Sequence, residues 1–304
     1  MYQSHAELWE KKASVRCRPR RQIDDDSLIF FPIGRQPLCS HPHIIELGEV
    51  AINFILLQTF YKYLNDVITF EMDIVNKTAI KIADGSFIFP FPFECRKDAF
   101  TVVIDENYHA YASMDYMNQV MHFTNTAPLK LSSNKIELSE AIPLALESLE
   151  KQYHDGMELI AVSIAENSVT ADVAELARDK TLKKSIQGLM SDHLIDEGRH
   201  AVFWTNAVKI YWQNILEHER IALGRAIAVF LQRYLIFNCY ADFQNELILS
   251  LNLDQETSKN IIESFDYYIP VDCSHPMMKP IGLFLKKSGI LEHKPTYEHL
   301  KHLV

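Results

Sequence analysis

Glycine is scarce in this chain, with 9 among 304 residues, and long stretches carry no proline. A sequence so poor in both breakers reads as helix over most of its length. Cysteine is sparse too: Cys17, Cys39, Cys95, Cys239 and Cys273 are odd in number, widely spaced and never arranged as Cys-x-x-Cys. That excludes a disulfide framework or a thiolate zinc site and fits a reducing compartment. There is no basic surplus, since 30 Lys and Arg face 40 Asp and Glu for a formal charge of −10. Nucleic acid is therefore excluded as the main partner, because neutralising phosphates needs basic side chains. A long apolar run is missing as well. The opening MYQSHAELWEKKASVRCRPRRQIDDD has no secretory core, and VAINFILLQTFY is too short and too polar to span a bilayer. The expectation is a cytoplasmic protein with no membrane partner. The 48% apolar and 23% charged composition excludes disorder.

What is present is an all-α pattern. Residues 1–42 read as an N-terminal arm, in which Arg16, Arg18, Arg20 and Arg21 are followed by Asp24, Asp25 and Asp26, so that its charges cancel and face solvent. Residues 43–240 read as a helical body, with helices expected over 43–60, 61–83, 98–124, 139–178, 180–214 and 218–240. The aromatic segment DGSFIFPFPFE, residues 84–94, carries Gly85, Pro90 and Pro92 and is expected to pack over a bundle end. Residues 241–304, rich in proline, read as short helices wrapped on the bundle. The whole chain is expected to form one domain.

One internal echo carries the chemistry. Ile-Asp-Glu-Asn-Tyr-His-Ala at 104–110 repeats as Ile-Asp-Glu-Gly-Arg-His-Ala at 195–201. Glu-x-x-His alone is weak evidence, since 22 glutamates and 13 histidines give about one chance match in a chain of this size. The additional match of Ile, Asp and Ala has a chance of about 10⁻⁴ per aligned pair, which points to two equivalent helices. Three residues advance a helix by about 300°, so Glu106 and His109, and likewise Glu197 and His200, share a face one turn apart. A carboxylate-bridged dimetal site in four helices needs one further glutamate from each remaining helix. Glu71, flanked by Leu64, Val67, Ile68, Ile74 and Val75, and Glu166, flanked by Leu159, Val162, Val169 and Val173, meet that need. Each would be a buried charge costing several kcal/mol unless neutralised.

His193 adds a third imidazole on the face of Glu197 and His200. The candidate ligands are thus Glu71, Glu106, His109, Glu166, His193, Glu197 and His200. Four carboxylates balance two M²⁺ ions, which lowers the chain's excess from −10 to −6. Two Fe ions suit this oxygen and nitrogen set, with Mn as the alternative, and zinc is not excluded by ligand type. Asp105 and Asp196, just before the motif glutamates, are placed to accept the free ring N–H of a histidine on the facing helix. His122 and His154 are set aside as ordinary polar residues.

The set Glu, Glu-x-x-His, Glu, His-x-x-x-Glu-x-x-His, from Glu71 to His200, resembles the non-haem diiron N-oxygenases typified by p-aminobenzoate N-oxygenase. His193 distinguishes it, because ribonucleotide-reductase small subunits, acyl-carrier desaturases and rubrerythrin-like proteins share the pattern without that histidine. The resemblance implies a ferritin-like four-helix bundle that dimerises, all seven residues as iron ligands, O₂ as co-substrate and an external electron donor. It implies oxidation of an amine nitrogen to a hydroxylamine, and onward to nitroso or nitro, in a biosynthetic pathway for a secondary metabolite. Carbon hydroxylation or desaturation, or a ferritin-like iron- or peroxide-handling role, are the competing readings. For the substrate, Tyr63, Tyr108, Tyr111 and Asn167 lie near the ligands in sequence as pocket candidates. No arginine occurs between Arg35 and Arg96, which speaks against a benzoate held from the Glu71 helix and leaves an aliphatic, amino-acid or carrier-bound amine open.

Overall fold

A computed structural model describes residues 2–265 and 269–304. Among them there is no strand, only an isolated bridge between Ile29 and Leu182. The arm forms α1 (Ala6–Lys12) and α2 (Ser14–Cys17), and a short α3 (Pro42–Glu46) leads into the body. The body holds α4 (Glu49–Phe70), α5 (Asn76–Asp84), α6 (Phe93–Thr124), α7 (Glu137–Glu147), α8 (His154–Arg178) and α9 (Lys184–Asn214). It is followed by α10 (Glu217–Tyr234), α11 (Asn238–Leu249), α12 (Gln255–Ser264), α13 (Met278–Lys287) and α14 (Lys294–Leu300).

Several expected boundaries shift. No break falls at 60/61: α4 runs through it, and the real interruption is Gly48, whose φ of 84° suits glycine and separates α3 from α4. The chain then passes through a π-helical turn, Glu71–Val75, directly into α5. Helix α6 starts at Phe93 rather than 98, with Pro92 just ahead of its first turn. The segment 139–178 is two helices. Around Ser148–Tyr153 the chain leaves the helix, with Glu150 extended at ψ 144°, and Ser148 Oγ caps the Ala145 carbonyl at 2.8 Å. Likewise 218–240 divides between α10 and α11. The stretch 217–249 is long and apolar enough to cross a membrane, but its residues Leu223, Ala226, Ile227, Phe230, Leu231, Leu247 and Ile248 are buried against the rest of the fold.

Helices α4–α5 pair with α6, and α8 pairs with α9; α6 and α9 then meet, giving two hairpins in a four-helix bundle. The apolar interior falls into two clusters. One gathers Leu56, Phe60 and Leu64 of α4 with Tyr116 and Val120 of α6, Val173 of α8 and Met190 of α9. The other gathers Val75, Ala79, Val102, Leu159, Val162, Phe203 and Trp204 with α10 and α13. Along α6, α8 and α9, the candidate ligands fall between these two clusters. The aromatic segment behaves as expected: Phe87 is buried with its ring edge-on to Tyr211 at 6.1 Å.

The arm does not face solvent with self-cancelling charges. Arg20 donates twice to Asp115 on α6, at 2.8 and 2.7 Å, and Arg21 twice to Asp192 on α9, at 2.6 and 2.8 Å. Asp26 pairs instead with Lys183 at 2.9 Å. The arm thus straps α6 to α9 from outside.

Candidate metal centre

All seven candidate ligands converge. Glu71, His109, His193 and Glu197 offer ligand atoms within 4.8 Å of one another, and so do Glu106, Glu166, Glu197 and His200, with Glu197 common to both groups. Every one of them is buried. The π-helical turn begins at Glu71 itself, and the extra residue per turn re-aims that side chain relative to a regular helix. His193 Nε2 lies 3.0 Å from Glu197 Oε1 and 3.4 Å from Glu71 Oε1. His109 Nδ1 lies 2.9 Å from Glu106 Oε2, and the rings of His109 and His193 have centroids 4.0 Å apart.

The donor set is short of partners. Glu71 Oε2, Glu106 Oε1, both oxygens of Glu166, both of Glu197 and His200 Nδ1 are buried without a hydrogen bond. His200 Nδ1 comes within 2.9 Å of Glu106 Oε1, yet without hydrogen-bond alignment. Orphaned polar atoms of this kind are rare in folded proteins, because each costs about 1–3 kcal/mol. Seven of them pointing into one volume fit a pair of cations.

The second ring nitrogens are held from behind in a crossed pattern. His109 Nε2 donates to Asp196 at 3.1 Å, and His200 Nε2 donates to Asp105 at 3.2 Å, so each aspartate serves the histidine of the other motif. That arrangement fixes each ring with Nδ1 turned toward the carboxylates. Three residues absent from the sequence reading complete it. Trp9 Nε1 donates to both oxygens of Asp105 at 3.0 Å. Ser14 donates to Asp196 from its backbone N–H at 3.2 Å and from its hydroxyl. Arg199 bridges the two, reaching Asp105 at 3.0 Å and Asp196 as well. Arg199 stands inside the repeated heptapeptide and was legible as a charge one turn from Asp196; Trp9 and Ser14 had no local signal.

The buried acids and imidazoles shift one another's titration. Burial first, then the neighbouring charges of Glu106, Glu197 and Glu166, pushes Glu71 well above the usual carboxylate range. Burial, then Glu197 and Glu106, does the same to Glu166. Burial also opposes the ionised form of Glu106, but the His200 charge and a hydrogen bond from His109 outweigh it and hold this acid down at about 2. Glu197 is likewise held well below its ordinary value, burial being overcome by His200 and His193. Burial disfavours charge on the imidazoles too. Even so, Asp196 and Glu106 raise His109 to about 10, and Glu106 and Glu197 raise His200 well above its ordinary value.

The substrate-pocket candidates are not gathered in one place. Tyr108 and Tyr111, with ring centroids 6.2 Å apart, line a cavity of about 40 Å³ that reaches His109 and His193 under Ser14, Arg20 and Arg21. Tyr63 lies elsewhere, on α4. Burial and then Asp172 push its phenol well above its ordinary value, with Arg35 opposing and Glu197 and Glu71 adding to the rise. Asn167 is engaged between α8 and α9, donating to the Ser163 carbonyl at 2.8 Å and accepting from Thr205 at 3.4 Å. The shortage of arginine on the Glu71 helix is offset by the fold, which brings Arg35 to Asp172, and Arg20 and Arg21 to the cavity, from the N-terminal segment.

A helical bundle that buries two overlapping carboxylate–histidine groups between two apolar clusters is the architecture of the dimetal carboxylate proteins. The sequence model of the family described as P-aminobenzoate N-oxygenase AurF matches residues 6–259. The chain belongs to this family of N-oxygenases. Among curated proteins, it is 22% identical over 230 residues to the 4-aminobenzoate N-oxygenase of Streptomyces thioluteus, which covers 74% of this chain and 68% of that protein.

Proposed function

We propose that this N-oxygenase holds two iron ions on Glu71, Glu106, His109, Glu166, His193, Glu197 and His200 and uses O₂ to oxidise the nitrogen of a small aromatic amine of the aminobenzoate kind. The observation that carries the proposal is Glu197, which stands in both four-residue groups and whose two orphaned oxygens are joined by five more orphaned polar atoms of the other candidate ligands. When bound, the metal pair supplies the O₂ reduction chemistry that amino-acid side chains lack.

The chain's own contribution is positional. Asp105 and Asp196 hold the Nε2 protons of His200 and His109, which keeps the Nδ1 lone pairs available. The two apolar clusters exclude bulk water on both sides along the bundle. The cavity beside Tyr108 and Tyr111 has room for a few waters, so an aromatic amine entering on that side requires displacement of the Arg20–Arg21 strap. Reducing electrons come from a donor outside the chain. We further propose a cytoplasmic location and a homodimer, the latter supported by the exposed apolar side chains Phe93, Phe100, Ile104, Tyr111 and Met114 along α6.

The test is to load the purified protein with Fe(II), supply a reductant and O₂ with 4-aminobenzoate and a panel of other amines, and identify products by mass and fragmentation. Hydroxylamine, nitroso or nitro products are expected. Hydroxylation at carbon with the nitrogen untouched would replace N-oxygenation by the competing reading, and consumption of peroxide or iron without amine oxidation would favour an iron-handling role.

A further inference from the structure

The proposed reaction needs electrons from outside, and the cations would lie deep in the bundle. Two hydrogen-bonded paths lead outward from the histidines, and they differ in kind. From His109 the path runs through Asp196 to Ser14 and ends on a hydroxyl and a backbone N–H. From His200 it runs through Asp105, at 3.2 Å, to the indole N–H of Trp9, at 3.0 Å. Only the second reaches an extended π system directly; from Asp196 that ring is reached only through the Arg199 guanidinium and Asp105. Trp9 is 8% exposed, and the guanidinium of the exposed Arg16 lies over its ring at 5.3 Å.

The surface around Trp9 has a charge of its own. Residues 1–21 carry six Lys and Arg against two Glu, in a chain whose total is −10. Lys11, Lys12, Arg16, Arg18 and Arg20 are all exposed. Arg16 pairs with Glu10, Arg18 with Asp192 and Arg20 with Asp115, whereas Lys11 and Lys12 make no ion pair among the described residues. A local basic surface on an acidic protein steers acidic partners toward it.

We propose that the arm is the electron entry port of this protein. An acidic one-electron carrier protein docks at Lys11 and Lys12, and Trp9, Asp105 and His200 form the coupling path to the metals. This rests on the dimetal reading above. Each carrier gives up one electron, so two oxidised carriers leave for every pair of M³⁺ ions reduced to M²⁺. Electron tunnelling weakens steeply with every gap between atoms in van der Waals contact or beyond, and hydrogen bonds of 3.0 and 3.2 Å narrow those gaps. Trp9 is a positioning and coupling residue that touches neither metal nor amine.

The experiment is stopped-flow reduction of the oxidised iron-loaded enzyme, followed by its ferric absorbance, with two reductants: a reduced plant-type [2Fe–2S] ferredoxin, which is acidic, and dithionite. Trp9→Phe keeps the packing and removes the N–H. Compared at equal iron content, it is expected to slow reduction by ferredoxin at least tenfold and reduction by dithionite less than twofold. Ser4→Ala removes the hydroxyl that ties the same arm to Asp98 at 2.6 Å, away from the centre, and is expected to leave both rates within twofold. The double variant Lys11→Glu, Lys12→Glu is expected to weaken ferredoxin binding to the iron-free protein, measured by calorimetry, at least tenfold, and to slow ferredoxin reduction alone.

Equal ferredoxin rates for wild type and Trp9→Phe would overturn the port, as would equal slowing by Ser4→Ala, which would make the arm a structural strap. If Trp9→Phe does not fold, the lysine variant decides: unchanged ferredoxin binding and rate overturn the port. Failure of the wild-type chain to bind iron at all would instead remove the dimetal reading beneath it.

Discussion

Metal loading should expel protons from this buried cluster of acids and imidazoles. In the cation-free centre Glu71 and Glu166 are held toward their protonated forms, while Glu106 at about 2 and Glu197 below its usual value stay ionised. His109 at about 10 and His200, raised well above its ordinary value, carry the extra proton of imidazolium. Two neutral acids, two carboxylates and two imidazoliums sum to zero charge. Binding two M²⁺ ions needs all four carboxylates ionised and the liganding imidazoles neutral, so up to four protons leave Glu71, Glu166, His109 and His200. The overall loading constant should then rise by up to about four decades per pH unit near neutrality. The sign for stability follows from the same directions. A raised folded pKa means that the native state holds its proton more tightly than the unfolded chain does. For Glu71 and Glu166 the iron-free protein therefore loses stability as pH rises above the unfolded carboxylate value toward their folded values. For His109 it loses stability from about 6.5 through about 10. Iron-free protein should melt at progressively lower temperature from pH 6 to pH 9, and added metal should restore more stability at the higher pH. Calorimetry of metal binding in buffers of different ionisation enthalpy counts the protons directly. Release of fewer than about two protons, or an iron-free melting temperature that rises over this range, would refute the reasoning.

Replacing Asp105 or Asp196 by Asn exchanges the charged acceptor that orients His200 or His109 for a neutral amide, and should weaken metal binding about 10–100-fold; competition with a chelator measures it. Glu166→Ala takes a carboxylate from one group only, so iron content should fall from two toward one per chain by elemental analysis while the group of Glu71, His109, His193 and Glu197 stays filled. Gly156→Ala should cost about 1–3 kcal/mol in chemical denaturation, because an added Cβ would sit 2.0 Å from the Tyr211 hydroxyl, whose ring is boxed by Phe87 and Phe89. A loss below about 0.5 kcal/mol would show that Tyr211 is free to move.

The centre was legible in the sequence because its geometry is local to each helix. Spacings of three and four residues place Glu106 with His109, and His193 with Glu197 and His200, before any tertiary contact forms. Even the crossed pairing of Asp105 and Asp196 followed from two equivalent helices facing each other. What was not legible depends on contacts far apart in the chain. Trp9 meets Asp105 across 96 residues and Ser14 meets Asp196 across 182, with no pattern to announce either. The arm's arginines and aspartates stand side by side in sequence, and that invited the idea of mutual cancellation. The fold sends Arg20 and Arg21 to α6 and α9 and Asp26 to Lys183. The break after α7 was missed because neither glycine nor proline occurs within residues 148–153. Pocket residues near the ligands in sequence diverged because Tyr63, Tyr108 and Asn167 sit on three different helices, and helical phase decides where each points.

The most direct test of the central claim is the iron count and Mössbauer spectrum of protein loaded with ⁵⁷Fe, compared between wild type and Glu197→Ala. Because Glu197 stands in both groups, the wild type is predicted to hold two irons per chain as a magnetically coupled pair, and Glu197→Ala to lose that coupling. One iron or fewer per wild-type chain, two uncoupled irons, or an unaltered spectrum in Glu197→Ala would contradict a dimetal centre built on these seven residues.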